Sequence, residues 1–336
     1  MRLRSSYFIL VMAAACSSSD GDDGDTAEQA DASYGNSYTI EWGPVTVEPA
    51  QENTRCVVKR VGNDQPIRVG QFINQLGSAS HHLIVYRVAD TTEQTEPFPC
   101  DPFVDVLDPT KGGPLAITQK AEETISLPPG VAYTLEADQM VRIEMHYINT
   151  GEEALEVRAS TTLVEIPDAD FQHEADFLFV GNVDVEVPPR EPFTLGPRFL
   201  PLPADLAGIN IFAITGHEHQ WGTGVDVAMG ASEEGPHETV YSPDPFLWNE
   251  PETVYHDPPL AMPENGGFNF SCHYFNDTGG TVGFGESAED EMCFFWAYYY
   301  PSVGPKVCAH TDQLGGLNLC CPGDALCDYL DDYLDN

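Results

Sequence analysis

Histidines at close spacing carry the chemistry that can be read from this chain. Gly216-His217-Glu218-His219 follows the apolar run Ile209-Asn210-Ile211-Phe212-Ala213-Ile214. That run is rich in β-branched residues and reads as a buried strand. Histidines at i and i+2 on a strand point to one face, so His217 and His219 are placed to share a metal ion. A second group is His81-His82, ahead of Leu83-Ile84-Val85-Tyr86. Adjacent residues on a regular strand face opposite ways, so both reach one metal only where the strand twists, bulges or begins. Ser78-Ala79-Ser80 points to a strand start there. His146 lies on Met140–Tyr147, where Val141, Ile143, Met145 and Tyr147 share one face and Arg142, Glu144 and His146 the other. His146 is therefore expected on a polar face, away from the core, which suits either a ligand on an open cleft or a solvated surface histidine. Three histidines suffice for copper or for zinc. Near the end, alternation puts Met292, Phe294, Trp296 and Tyr298 on one face and Cys293 on the other, from where it can tie back to Cys272. A thioether such as that of Met292 is a soft ligand that favours Cu(I), which tilts the metal towards copper. His173, His237, His256, His273 and His310 read as structural or surface residues.

The elements that must hold these residues are strands. Short runs such as Cys56–Val61, Ile67–Ile73, Leu155–Leu163, Phe177–Val180, Gly224–Met229 and Gly267–Tyr274 recur with Pro and Gly between them. No long helical stripe is visible outside the last residues, and no Gly-rich phosphate loop, Gly-x-Ser-x-Gly elbow or internal repeat. The pattern predicts an all-β chain of antiparallel sandwiches or jelly rolls. A seam near Ile166–Gln172 divides it into residues 38–166 and 167–305. Residues 306–336 are expected to form a Cys-containing acidic extension.

Residues 1–15 combine Arg2 and Arg4 with the apolar run Tyr7–Ala15, the make-up of a secretory signal too short to span a membrane. The ending Ala13-Ala14-Ala15-Cys16 resembles a bacterial lipobox, which implies cleavage before Cys16 and a lipid on its thiol. Residues 16–37 are Ser- and Asp-rich and are expected to be a disordered tether. The expected location is thus a bacterial cell envelope, with the chain lipid-anchored in the membrane. With 14 basic against 54 acidic residues, nucleic acid and anionic lipid surfaces are poor partners. No obligate protein partner is legible. Nine cysteines less Cys16 leave eight, an even number that reads as four disulfides in an oxidising compartment.

Taken in order, His81-His82, His146-Tyr147, His217-x-His219, Cys272-His273-Tyr274 and Asp290-Glu291-Met292-Cys293 resemble the copper type II, ascorbate-dependent monooxygenases. These include the peptidylglycine α-hydroxylating and dopamine β-monooxygenases. The resemblance spans about Tyr38 to Pro301. It implies two jelly-roll β-sandwich domains flanking a solvent-filled interdomain cleft, with two copper ions per chain. One copper would be held by His81, His82 and His146, the other by His217, His219 and Met292, where O2 and substrate would meet. Ascorbate or another one-electron donor would be the reductant. Cys56 with Cys100 and Cys272 with Cys293 resemble family disulfides in position. Cys308 lacks its usual partner and is expected to pair with Cys320, Cys321 or Cys327.

The sequence departs from the peptide-amidating members at three positions. Those enzymes grip a peptide carboxylate with an Arg, an Asn and a Tyr. Thr215, Phe294 and Trp296 stand here instead. An apolar or aromatic small-molecule substrate therefore fits this face better than a peptide. The expected function is C–H hydroxylation with O2. The alternative is a copper-sequestering envelope lipoprotein without catalysis.

Overall fold

The computed structural model describes residues 34–77, 79–100, 113–285, 287–324 and 327. The signal segment, Cys16, residues 16–33 of the expected tether, and residues 328–336 lie outside the described residues. The first half contains β1 (Ser37–Val47), β2 (Glu52–Arg60), β3 (Ile67–Leu76), β4 (Ser80–Val88), β5 (Gln94–Pro99) and β6 (Pro114–Thr118). It continues with β7 (Glu122–Ser126), β8 (Val131–Leu135), β9 (Met140–Ile148), β10 (Leu155–Ile166) and β11 (His173–Glu174). One sheet runs β1-β10-β3-β8-β11, with β7 also on β3; the other runs β5-β2-β9-β4-β6.

The second half contains β12 (Asp176–Asn182), β13 (Glu186–Val187), β14 (Pro192–Pro201), β15 (Asn210–His217), β16 (Gly222–Gly230) and β17 (His237–Tyr241). After these come β18 (Thr253–Ala261), β19 (Gly267–Phe275), β20 (Val282–Gly283), β21 (Phe294–Tyr300), β22 (Lys306–Thr311) and β23 (Leu317–Cys321). Its sheets run β18-β15-β21-β12-β22-β23 and β14-β19-β16-β17, with β13 and β20 as a separate pair. A short 3-10 turn at Ala204–Leu206 separates β14 from β15. The chain is all-β, built as β-sandwiches.

Strand alternation explains why the halves meet. In β12 and β21, Leu178, Val180, Phe295, Ala297 and Tyr299 point into the second half's own core. Phe177, Phe179, Phe294, Trp296 and Tyr298, on the opposite face, join the first half's core together with Phe212 and Met292. Exposing that aromatic face would forfeit about 1.5–3 kcal/mol per large side chain, so it is covered. Phe179 and Phe294 stack with ring centroids 4.8 Å apart, and Phe177 meets Tyr298 edge-on at 5.4 Å. A Cβ on Gly181 would stand 2.0 Å from the Phe294 ring, so only glycine admits it.

Three expectations are corrected. The implied solvent-filled cleft is a packed seam, because the core continues across it. The end of the expected tether belongs to the fold: the Gly35 amide donates to the Glu165 carbonyl (2.7 Å), and Ser37 begins β1. Residues 306–321 are not an appended extension. β22 lies parallel to β12 and antiparallel to β23, so both complete the second half's larger sheet. The four disulfides are Cys56–Cys100, Cys272–Cys293, Cys308–Cys320 and Cys321–Cys327.

Candidate metal centre

The first histidine group is made by an irregularity in β4. Ser80 pairs with Tyr147 but His82 pairs with His146, so His81 is the extra residue of a bulge. A bulge re-aims a side chain that regular pleating would send to the opposite face. His81 and His82 therefore lie together, their Nδ1 atoms 3.4 Å apart. His146, across from His82 on β9, brings a third nitrogen, and one atom from each ring lies within 4.8 Å of the others. His146 does not sit on an open polar face. It is 4 % exposed and its strand neighbour Glu144 is fully buried, because the second half covers that side of the sheet.

Two carboxylates orient these rings. Glu144 Oε1 lies 3.3 Å from His82 Nε2, while Tyr86 donates to Glu144 Oε2 at 2.9 Å. Glu52 Oε1 is 2.8 Å from His146 Nε2, an interaction that holds the Glu52 carboxyl at about 2. With Nε2–H donating outward, His82 and His146 keep the lone pair on Nδ1, and that of His82 lies beside His81. Outer partners of this kind fix the tautomer of metal-binding histidines. His81 Nε2 is buried without a hydrogen-bond partner.

The second group forms where β15 ends. His217 is the last residue of that strand, opposite Phe294 on β21. A Cβ on the preceding Gly216 would come within 2.8 Å of Tyr241 and Val225, so the strand closes down there only on glycine. His219 is not on the strand, as the spacing predicts, but in the turn beyond it. Buried acids shape that turn. Glu218 accepts the Gly224 and His273 amides, both at 3.1 Å. Glu291 accepts the amides of His219 (2.9 Å), Trp221 (2.7 Å) and Met292 (3.2 Å). Burial raises both carboxyls, Glu291 to about 7. His219 Nδ1 donates to the Asp290 carbonyl at 3.1 Å, which leaves the lone pair on Nε2. The rings of His217 and His219 are 5.2 Å apart. Met292 sits just before β21, as His219 sits just after β15, and its carbonyl accepts the Tyr274 hydroxyl at 2.8 Å.

The two groups face each other. The His81 ring centroid is 6.0 Å from that of His219 and 6.4 Å from that of His217. All five imidazoles are buried. Burial pushes His81, His82 and His217 well below the usual histidine range and His219 to about 4, so these four rings are neutral, the form that binds metals. Trp248, on the segment between β17 and β18, lies over His81 at 5.8 Å. The Trp296 ring is 6.0 Å from His217. Thr215, Phe294 and Trp296 are buried in the seam, and the Thr215 hydroxyl donates to Thr253 at 3.0 Å.

These residues fit copper: neutral imidazoles with their lone pairs turned inward, outer carboxylates, and a buried thioether in the adjoining turn. A further grouping, Asp184, His310 and Asp312, already carries Arg198 on Asp312 at 2.6 Å and Asn318 on His310 at 2.7 Å. His273 is a structural residue, held by Thr194 and Asp226. Sequence reasoning missed Glu52, Gln119, Glu218, Glu291 and Trp248 as contributors. Glu144, alternating with His146 on one strand, left a signal, as did Glu218 and Glu291 by their place inside the ligand motifs.

Residues 200–315 match the family model for the copper type II ascorbate-dependent monooxygenase, C-terminal domain. No curated protein matches the chain. Among solved structures it is similar to PBCV-1 VP54, in a crystal structure fitted into a cryo-EM reconstruction of the virophage Sputnik. Identity is 6 %, coverage 87 % of this chain and 98 % of that one, and the TM-score 0.26, a likeness too slight to bear on function. Residues 200–315, the segment that carries His217, His219 and Met292, are thus similar to the C-terminal domain of the copper type II ascorbate-dependent monooxygenases.

Proposed function

We propose that this chain is a dicopper monooxygenase that hydroxylates a C–H bond of an apolar or aromatic small molecule. O2 is the oxidant and ascorbate, or another one-electron donor, supplies two electrons. One oxygen atom enters the substrate; the other leaves as water with two protons. His81, His82 and His146 would hold one copper, and His217, His219 and Met292 the other. Bound copper would supply the one-electron transfers and the activation of O2. The observation that carries this reading is the convergence of five buried histidines from the two halves, with outer partners on His82, His146, His217 and His219.

The protein's own residues do the remaining work. Glu144 and Glu52 orient the first group, while Glu291 and the Asp290 carbonyl hold the turn of the second. Phe294 and Trp296 keep the His217 side dry. Thr215, Phe294 and Trp296 themselves offer no charged group, and this favours an uncharged substrate. The signal-like N-terminus and Cys16 support an envelope lipoprotein, with the copper sites in an oxidising compartment.

The burial of Thr215, Phe294 and Trp296 also favours the second reading, a copper-sequestering lipoprotein. Oxygen uptake with ascorbate across a panel of aromatic and aliphatic substrates divides the two. Hydroxylated product formed in step with O2 uptake is expected. Two coppers bound with no product would leave sequestration, and near-zero copper after loading would remove both.

A further inference from the structure

Gln119 lies in the turn between β6 and β7 of the first half, yet its side chain reaches a histidine of the second. Its Oε1 is 3.0 Å from His217 Nδ1. The residue is 6 % exposed. Its position is fixed by contacts on both sides. Before it, the Ile117 amide donates to the Tyr298 hydroxyl at 3.1 Å. After it, Glu123 accepts from the Thr118 hydroxyl and from Thr253 on β18 at 3.1 Å, and Thr253 in turn accepts from Thr215. The turn is therefore docked on the very strands, β15 and β21, that deliver His217 and lead back to Met292.

A neutral imidazole carries one proton, and the partner of one nitrogen decides which. A carboxamide oxygen only accepts, so facing Nδ1 it selects the Nδ1–H tautomer and puts the lone pair on Nε2. His219 reaches the same tautomer through a carbonyl of its own half, whereas His217 depends on the other half. We propose that Gln119 is a positioning residue for the second-half copper: docking of the first half sets the tautomer, and thereby the ligating nitrogen, of His217. This rests on the copper reading above but stands on a separate observation. It makes the second site complete only when the seam is closed.

The test begins without metal. In the 15N-histidine-labelled apoprotein, NMR is expected to find His217 as the Nδ1–H tautomer in the wild type and in Gln119→Glu, which retains the acceptor. Gln119→Leu is expected to shift it towards Nε2–H. Nε2–H in the wild type, or no change in Gln119→Leu, would overturn the proposal whatever the protein does with copper. Failure to bind copper with the tautomer pattern intact would instead count against the monooxygenase reading. With copper loaded, a stronger acceptor raises imidazole basicity and favours Cu(II). Gln119→Glu is thus expected to lower one copper potential and Gln119→Leu to raise it. A tenfold change in the Cu(II)/Cu(I) affinity ratio corresponds to about 59 mV. The copper on His81, His82 and His146 should not move. Shifts in the same direction for both variants would sink the positioning role, since a merely structural residue would act in that way.

Discussion

Replacing Glu52 by Ala tests how the seam and the metal centre are joined. The carboxylate accepts from His146 Nε2 at 2.8 Å, from the Ala288 amide at 3.1 Å and from the Ser287 hydroxyl at 3.5 Å. It therefore spans both halves and touches the turn whose Asp290 carbonyl orients His219. The fall of its carboxyl from 4.5 to about 2, at about 1.36 kcal/mol per pKa unit, caps its contribution near 3.4 kcal/mol. Its side chain is 25 % exposed, and solvent screening brings the expected loss to about 1–2 kcal/mol. The folded pKa is depressed, so this stability is present above pH 4.5 and lost as pH falls towards 2. Urea unfolding of the apoprotein at pH 7 should show the loss, with the difference between wild type and variant shrinking below pH 4.5. Copper affinity at the first-half site should also fall, by roughly 10- to 100-fold, as His146 loses its outer partner. A difference in stability that grew on acidification, together with unchanged copper binding, would refute the reasoning.

Met292→Leu keeps the buried volume, costing less than about 1.5 kcal/mol, but removes the thioether. Titration should show one copper weakened and the other retained; equal loss of both would remove Met292 as a ligand. Asp176 is buried and its carboxyl is raised from 3.8 to about 6, so the folded state is penalised for its charge above pH 6. Asp176→Asn should stabilise the protein at pH 8, by up to about 3 kcal/mol, and change little at pH 3.5, as read by thermal unfolding. Cys308 and Cys320 close a loop with a sequence separation of 12. Replacing both with Ala should cost about 3 kcal/mol in urea at equilibrium, and no loss would mean that the bridge does not restrain the unfolded chain.

Much of the fold could be read from alternation. Strands recur where the apolar residues alternate, and β12, β21 and the strand leading to His217 overlap the expected runs. Alternation also placed Met292, Phe294, Trp296 and Tyr298 on one face and Cys293 on the other, where it bonds to Cys272. The final strands, β22 and β23, were not legible. Their pairing with β12 is a long-range, parallel contact that no local pattern announces. Nor could alternation say that the polar face of β9 is buried, because burial there comes from the other half.

The sequence by itself determined an all-β chain and the residue types able to bind a soft metal, while their grouping into two sets was what the family resemblance implied. These follow from local chemistry: strand period, imidazole and thioether ligands, and an even number of cysteines after Cys16. Only the tertiary structure decided how the sets meet. The bulge that turns His81 beside His82 is a matter of register between β4 and β9. The approach of His81 to within 6.0 Å of His219 follows from burying an aromatic sheet face that neither half could leave in water. Glu52 and Gln119, far from any histidine in sequence, become partners of His146 and His217 because hydrogen bonds act over distance in space, not along the chain.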